Sequence, residues 1–145
     1  MSVNRNLSPY LGFRDSARAA LEFYAGLFSG ELELTTFGEF GMGEDEAERA
    51  LIMHGQLTVD GEALLMASDT PKEMELPPAS STRLALFGGP EDDARLRGYW
   101  AALSEGGTIE MPLELAPWGD AFGQLTDRFG TPWFVNIAGQ AAAEG

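Results

Sequence analysis

The sequence predicts an α+β fold in which two tandem βαβββ modules form a curved mixed sheet around a cavity. Three observations carry that expectation. An order of strand, helix and three strands can be read twice along the chain. The tetrapeptide Gly55-Gln56-Leu57-Thr58 recurs as Gly123-Gln124-Leu125-Thr126 at the same place in both copies. The total of 145 residues suits one domain assembled from two small modules.

The first strand is read over residues 7–13, with Pro9 tolerated near its start. Ser16 is the expected N-cap of a helix whose Ala20, Leu21, Tyr24, Leu27 and Phe28 fall on one face, and Gly30 is expected to end it. Residues 31–37 alternate polar and apolar as a half-buried strand does. A glycine-containing acidic loop follows. Seven acids and no base lie between Glu31 and Glu48, which repels phosphate and suits a solvated loop or lid. Strands at 54–59 and 62–68 are joined by Asp60-Gly61, a hairpin signal because both residues tolerate positive φ.

Residues 70–81 carry the Pro and Ser punctuation of a connector. The pattern then restarts with a strand at 83–87 and a helix opened by Pro90, Glu91, Asp92 and Asp93. Leu96, Tyr99, Trp100 and Leu103 form its apolar stripe, and Gly106-Gly107 stop it. Strands follow at 108–115, 122–126 and 133–137. The expected organisation is a single domain over 1–145: a first module at 1–69, the connector at 70–81, a second module at 82–139 and a disordered tail at 140–145.

Strand parity sorts the third strand of each module. Leu57 and Val59, or Gly123 and Leu125, share the face suited to the helices, while His54, Gln56 and Thr58, or Phe122, Gln124 and Thr126, share the other. His54, Gln56 and Gln124 are therefore expected to point into the cavity.

Composition removes several function classes. Asp and Glu number 23 against nine Lys and Arg, a formal charge of −14, so nucleic acid and anionic membrane are poor partners. With no cysteine, disulfides, thiolate nucleophiles and iron–sulfur clusters are excluded. No apolar run reaches the ~18 residues of a membrane span, and the start at Met1 has no apolar leader, so a cytoplasmic protein is expected.

Several segments carry a family likeness: Pro9-Tyr10-Leu11-Gly12-Phe13 with Ala20-Leu21-Glu22-Phe23-Tyr24, Met53-His54-Gly55-Gln56-Leu57, and Leu65-Met66-Ala67-Ser68-Asp69. Most specific is Trp118-Gly119-Asp120-Ala121-Phe122-Gly123-Gln124-Leu125-Thr126-Asp127-Arg128-Phe129-Gly130, with Trp133 and Asn136. Over nearly its whole length the chain resembles the PhnB-like branch of the vicinal oxygen chelate superfamily, which includes glyoxalases, bleomycin-resistance proteins and extradiol dioxygenases. The resemblance implies the glyoxalase/bleomycin resistance fold, a cavity shared by two modules, and a homodimer. It also implies, for metal-using members, His, Glu or Gln ligands on the first and last strands of each module. Those positions fall here near Pro9 or Tyr10, near Leu84, near Leu65 or Met66, and near Phe134, none a usual ligand. No metal and no cofactor are therefore expected, although His54 and Asn136 leave donors for an unorthodox site.

His54, the sole imidazole, is the candidate catalytic residue as a general base, and equally a hydrogen-bond anchor. The candidate ligand-binding set is His54, Gln56, Trp118, Phe122, Gln124, Phe134 and Asn136, in which the glutamines supply amides and the aromatics supply walls for a planar or cationic guest. The leading expectation is a protein that binds a small organic molecule in its cavity. Two alternatives stand beside it: a divergent metal-dependent glyoxalase-like lyase or dioxygenase, and a resistance-type binder of cationic drugs. PhnB-like proteins have also been labelled methyltransferases, but Leu11-Gly12-Phe13-Arg14 offers one glycine in the wrong topology for that cofactor's turn.

Overall fold

In the computed structural model, which describes residues 8–71 and 83–139, the eight strands and two long helices follow the order the repeat predicts, and a short helix and 3₁₀ turns are added to it. The connector apart from Thr70 and Pro71, and the tail at 140–145, lie outside the described residues. The chain divides into two compact units, Met1–Ala79 and Ser80–Gly145, each with one four-stranded mixed sheet.

In the first unit β1 (Tyr10–Phe13), β2 (Glu31–Thr36), β3 (Ile52–Val59) and β4 (Glu62–Asp69) are ordered β1-β4-β3-β2. β1 runs parallel to β4, and the other pairs are antiparallel. Helix α1 (Ala17–Phe28) buries Ala17, Ala20, Leu21 and Tyr24 against the sheet, where Leu57, Leu65 and Ala67 are also sealed. Each such side chain removed from water contributes on the order of 1.5–3 kcal/mol if it is Leu-sized, which is why the helix stays down. Gly55 permits this approach: a Cβ there would meet Leu21. The β3–β4 hairpin turns at Asp60 and Gly61 with φ of 53° and 83°, as the dipeptide predicts.

Ser16 occupies the N-cap position of α1, but its side chain makes no cap bond. That role belongs to Asp69 at the end of β4. It is 4 % exposed and accepts from the Ala17 N–H and the Ile52 N–H, each at 2.9 Å. The helix is thus capped from the sheet it packs on. At the other end Ser29, rather than Gly30, takes the left-handed position, with φ 56°.

The acidic segment after β2 is built as a 3₁₀ turn (Gly38–Phe40) and a short helix, α2 (Glu46–Ala50). Its own acids shape it. Glu39 Oε2 accepts from the Thr36 N–H and hydroxyl, Asp45 caps the Glu48 N–H at 2.8 Å, and Glu48 Oε1 accepts from the Glu44 N–H at 2.9 Å. Arg49 folds back so that its Nε–H donates to the Gly43 carbonyl.

The second unit repeats the plan with β5 (Leu84–Gly88), β6 (Thr108–Leu115), β7 (Ala121–Thr126) and β8 (Pro132–Ile137), ordered β5-β8-β7-β6. β5 and β8 are parallel. Helix α3 (Asp93–Ser104) follows a 3₁₀ turn at Pro90–Asp92 and buries Leu96 and Leu103. The core joins Leu96, Ala121, Val135 and Ile137, with Leu86, Tyr99, Trp100 and Leu113 packed around them. Gly123 stands where Gly55 stands in the first unit, and a Cβ on it would lie 2.7 Å from Trp100 and 2.8 Å from Leu113 Cα. Buried Asp127 accepts from the Phe129 and Thr131 N–H groups and from the Trp133 indole, locking the β7–β8 turn. β6 is an edge strand with Pro112 inside it and two register shifts against β7.

The open faces of the two sheets as candidate ligand sites

Pairing registers define a face of each sheet turned away from its helix. In the first unit one row across the sheet reads Tyr10, Met66, Gln56, Glu33, and the next brings Gly12 beside Ser68 and His54 beside Thr35. The helix side of β3 and β4 holds Gly55, Leu57, Leu65 and Ala67, so Gln56 and His54 lie on the open face as parity predicts. A register shift opposite Thr35 and Thr36 turns Ile52 to the buried side although its parity matches that of His54.

His54 is half-buried, and its Nδ1 lies 3.1 Å from the Tyr10 hydroxyl, with ring centroids 5.7 Å apart. Gln56 Nε2 donates to Thr58 Oγ1 at 3.1 Å. Among the described residues the Gln56 amide oxygen has no hydrogen-bond partner, and Nε2 keeps a second N–H.

In the second unit the matching rows read Ala85, Phe134, Gln124, Met111 and Phe87, Asn136, Phe122, Glu114. Phe122 takes the place of His54, Phe134 that of Met66, and Asn136 that of Ser68. The rings touch in series: Trp118 to Phe122 at 5.8 Å, edge to face, and Phe122 to Phe134 at 5.4 Å. Trp118 is 61 % exposed, so this stack ends in solvent. Asn136 Nδ2 donates to Asp120, whose other oxygen accepts from the Gly139 N–H.

Of the residues selected from sequence, Trp118, Phe122, Gln124, Phe134 and Asn136 therefore share one face, and His54 and Gln56 share the equivalent face of the other unit. Sequence reasoning missed Tyr10, whose hydroxyl meets a partner 44 residues away. It also missed a strap at one end of the second face. There Glu110 Oε1 meets Arg83 Nη1 at 3.1 Å, and Glu110 Oε2 accepts from the Thr126 hydroxyl at 2.6 Å. The Thr126 hydroxyl is the main reason the Glu110 carboxyl titrates below its ordinary range; partial burial opposes it and Arg83 assists.

The resemblance assigns metal ligands to the first and last strands. On the open faces those strands offer a phenol at Tyr10, a thioether at Met66, a methyl at Ala85 and a phenyl at Phe134. Leu84, the nearest position by sequence, pairs with buried Trp133 and faces the helix instead. Among the described residues no group of three or more His, Asp or Glu comes together. A divalent cation needs several nitrogen or oxygen donors in one cluster, so this set does not fit one.

Comparison with known proteins agrees with this architecture. A family model described as 3-demethylubiquinone-9 3-methyltransferase matches residues 5–136. The crystal structure of protein PA1353 from Pseudomonas aeruginosa is similar, with 33% identity, a TM-score of 0.80, and coverage of 92% of this chain and 98% of that one. A Bacillus cereus PhnB protein superposes with a TM-score of 0.75 at 24% identity, covering 92% of this chain and 100% of its own. A glyoxalase/bleomycin resistance protein/dioxygenase family enzyme from Burkholderia phytofirmans PsJN shares the fold at 13% identity, with a TM-score of 0.56 and coverage of 90% and 96%.

Proposed function

We propose that this chain, which belongs to the PhnB-like family of the glyoxalase/bleomycin resistance/dioxygenase superfamily, binds a small organic molecule through the open faces of its sheets without using a metal. The contact residues in this reading are His54, Gln56, Trp118, Phe122, Gln124, Phe134 and Asn136, with His54 the one candidate for proton transfer. The methyltransferase named in the family description is not carried over. Methyl transfer from a nucleotide-type cofactor is supported by a doubly wound parallel sheet with a glycine-rich turn after its first strand, and the order β1-β4-β3-β2 is mixed.

One observation carries the proposal: the two helix faces are sealed with apolar side chains, while the opposite faces hold amides, an imidazole and a series of aromatic rings that ends at exposed Trp118. Gln56 and Gln124 stand at the same register in both sheets. Polar groups held by rigid strands and left with hydrogen-bonding capacity are what a small-molecule site requires. Metal analysis of the purified protein is the test. The expected result is less than stoichiometric divalent metal and ligand binding insensitive to chelators. Stoichiometric metal that disappears in His54→Ala would overturn the reading in favour of a metal-dependent lyase or dioxygenase.

A narrower version is favoured by the Trp118–Phe122–Phe134 series beside Asp120 and Glu114. In an acidic protein such a platform suits a planar cation, through ring stacking and electrostatic attraction. Binding of a cationic aromatic is then expected to weaken as salt rises, and no binding at low salt removes this version. The family resemblance further leads us to place the protein in the cytoplasm and to read it as a homodimer; light scattering of the purified chain checks the dimer, and fractionation of cells checks the location.

A further inference from the structure

The open face of the first unit holds one pair of rings in hydrogen-bonding contact, Tyr10 on β1 and His54 on β3. We infer that these two side chains act as a single hydrogen-bonding unit that takes a neutral, hydroxyl-bearing carbonyl compound. This inference rests on the ligand-binding reading above and specifies its ligand class.

A phenol is a better donor than a neutral imidazole N–H, and an imidazole nitrogen is the better acceptor of the two. The 3.1 Å contact is therefore made by the Tyr10 O–H donating to His54 Nδ1. That fixes the imidazole with its own proton on Nε2. The unit then shows a ligand one N–H donor, at Nε2, and one acceptor, the Tyr10 oxygen with its remaining lone pairs.

The surroundings select the partner. Gln56 gives one Nε2–H to Thr58 and keeps a second N–H donor, and its amide oxygen is a second acceptor. Ser68 on β4 and Thr35 on β2 bring hydroxyls that serve as either donor or acceptor. Met66 lies between Tyr10 and Gln56 in the row and offers a soft apolar surface to C–H groups. The one charged side chain in these rows is Glu33, next to Gln56 on β2. A carbonyl oxygen is matched by Nε2–H, and hydroxyls are matched by the Tyr10 and Gln56 oxygens. An anion meets Glu33 and a net charge of −14 and is disfavoured. Tyr10 is 54 % exposed, so a ligand reaches the pair from solvent without local unfolding.

Because the chain has a single histidine, ¹⁵N-histidine labelling reports on this site alone. In the full-length protein the long-range ¹H–¹⁵N pattern is expected to show the Nε2–H tautomer. Tyr10→Phe is expected to shift the imidazole toward a mixture of tautomers with an unchanged unfolding midpoint. Dihydroxyacetone is expected to move the Nε2 signal, and its affinity to fall roughly 2–10-fold in Tyr10→Phe, the effect of one hydrogen bond. Pyruvate, an anion of similar size, is expected to leave the signal in place. An Nδ1–H tautomer in the wild type, no response to dihydroxyacetone, or an equal response to pyruvate would each overturn the inference. If phenyltrimethylammonium shifts the Trp118 indole signal while dihydroxyacetone leaves His54 unmoved, this inference falls and the broader ligand-binding reading stands.

Discussion

Two residues before the shared glutamine the first unit has His54 and the second has Phe122; beside that glutamine on the neighbouring strand the first has Met66 and the second Phe134. On the reverse side β3 and β7 carry the same pair, Gly55 and Leu57 against Gly123 and Leu125, whereas β4 and β8 exchange one buried apolar residue for another, Leu65 for Trp133 and Ala67 for Val135. At these positions the helix face has thus stayed apolar through its exchanges, while the other face, apart from the shared Gln and Thr, has changed its chemistry, from hydrogen-bonding in the first unit to aromatic in the second. Packing explains the asymmetry. A side chain between sheet and helix is limited by its neighbours' volume, whereas an open face accepts any residue whose polar atoms reach water or a ligand.

The largest expected effects test the conserved side. Leu57→Ala and Leu125→Ala each remove a fully buried side chain and are expected to cost about 2–5 kcal/mol in denaturant unfolding. The two values should agree within about 1 kcal/mol after allowance for cavity relaxation, and a large disparity breaks the claim that the two helix faces are equivalent.

Next comes a device specific to the first unit. Asp69→Ala strips α1 of its cap and leaves the Ile52 N–H buried without a partner, for a loss of about 2–4 kcal/mol. Ser16→Ala, at the position that holds the N-cap in sequence terms, is expected to change stability by less than about 0.5 kcal/mol. If the serine proves the costlier change, the sheet does not cap the helix.

The smallest effect belongs to the second unit. Glu110 is held in its charged form by Thr126 and Arg83, so its carboxyl titrates lower in the folded chain than in the unfolded one. The strap's contribution is therefore complete only well above the unfolded value of 4.5 and is lost as pH falls through the lower folded value. Glu110→Gln should lower stability near neutral pH by less than about 1 kcal/mol, given the exposure of the pair, and the deficit should close in acid. A deficit that stays constant down to acid pH would show that the ionised carboxylate contributes nothing.

The strands and both long helices were legible because their signals are local: alternation for β2, β3, β7 and β8, a 3.6-residue stripe for α1 and α3, and a turn dipeptide at Asp60-Gly61. Helix α2 and the 3₁₀ turn before it were not, since five and three residues are too few to show a period, and both are held by side-chain bonds from Asp45 and Glu39. Asp69 was hidden for a related reason. A serine directly before a helix satisfies the capping pattern, and nothing local shows that an aspartate 52 positions away reaches the same end. For the open faces, parity correctly placed His54, Gln56, Phe122 and Gln124, because it needs only the strand. Tyr10 escaped, because its role depends on which strands become neighbours. Of the positions where the resemblance expects metal ligands, Leu84 turns to the helix side and its neighbour Ala85 to the open side.

Pro112 and the two register shifts in β6 bear on the protein's behaviour in a crowded solution. This edge strand exposes Ile109, Met111 and Leu115, apolar enough to attract a strand from another molecule. A proline supplies no N–H to such a partner, and each shift sets the remaining donors and acceptors out of step with a regular strand. Foreign chains that land on this border find grease but no ladder to climb, so the edge can carry apolar side chains without seeding a fibril.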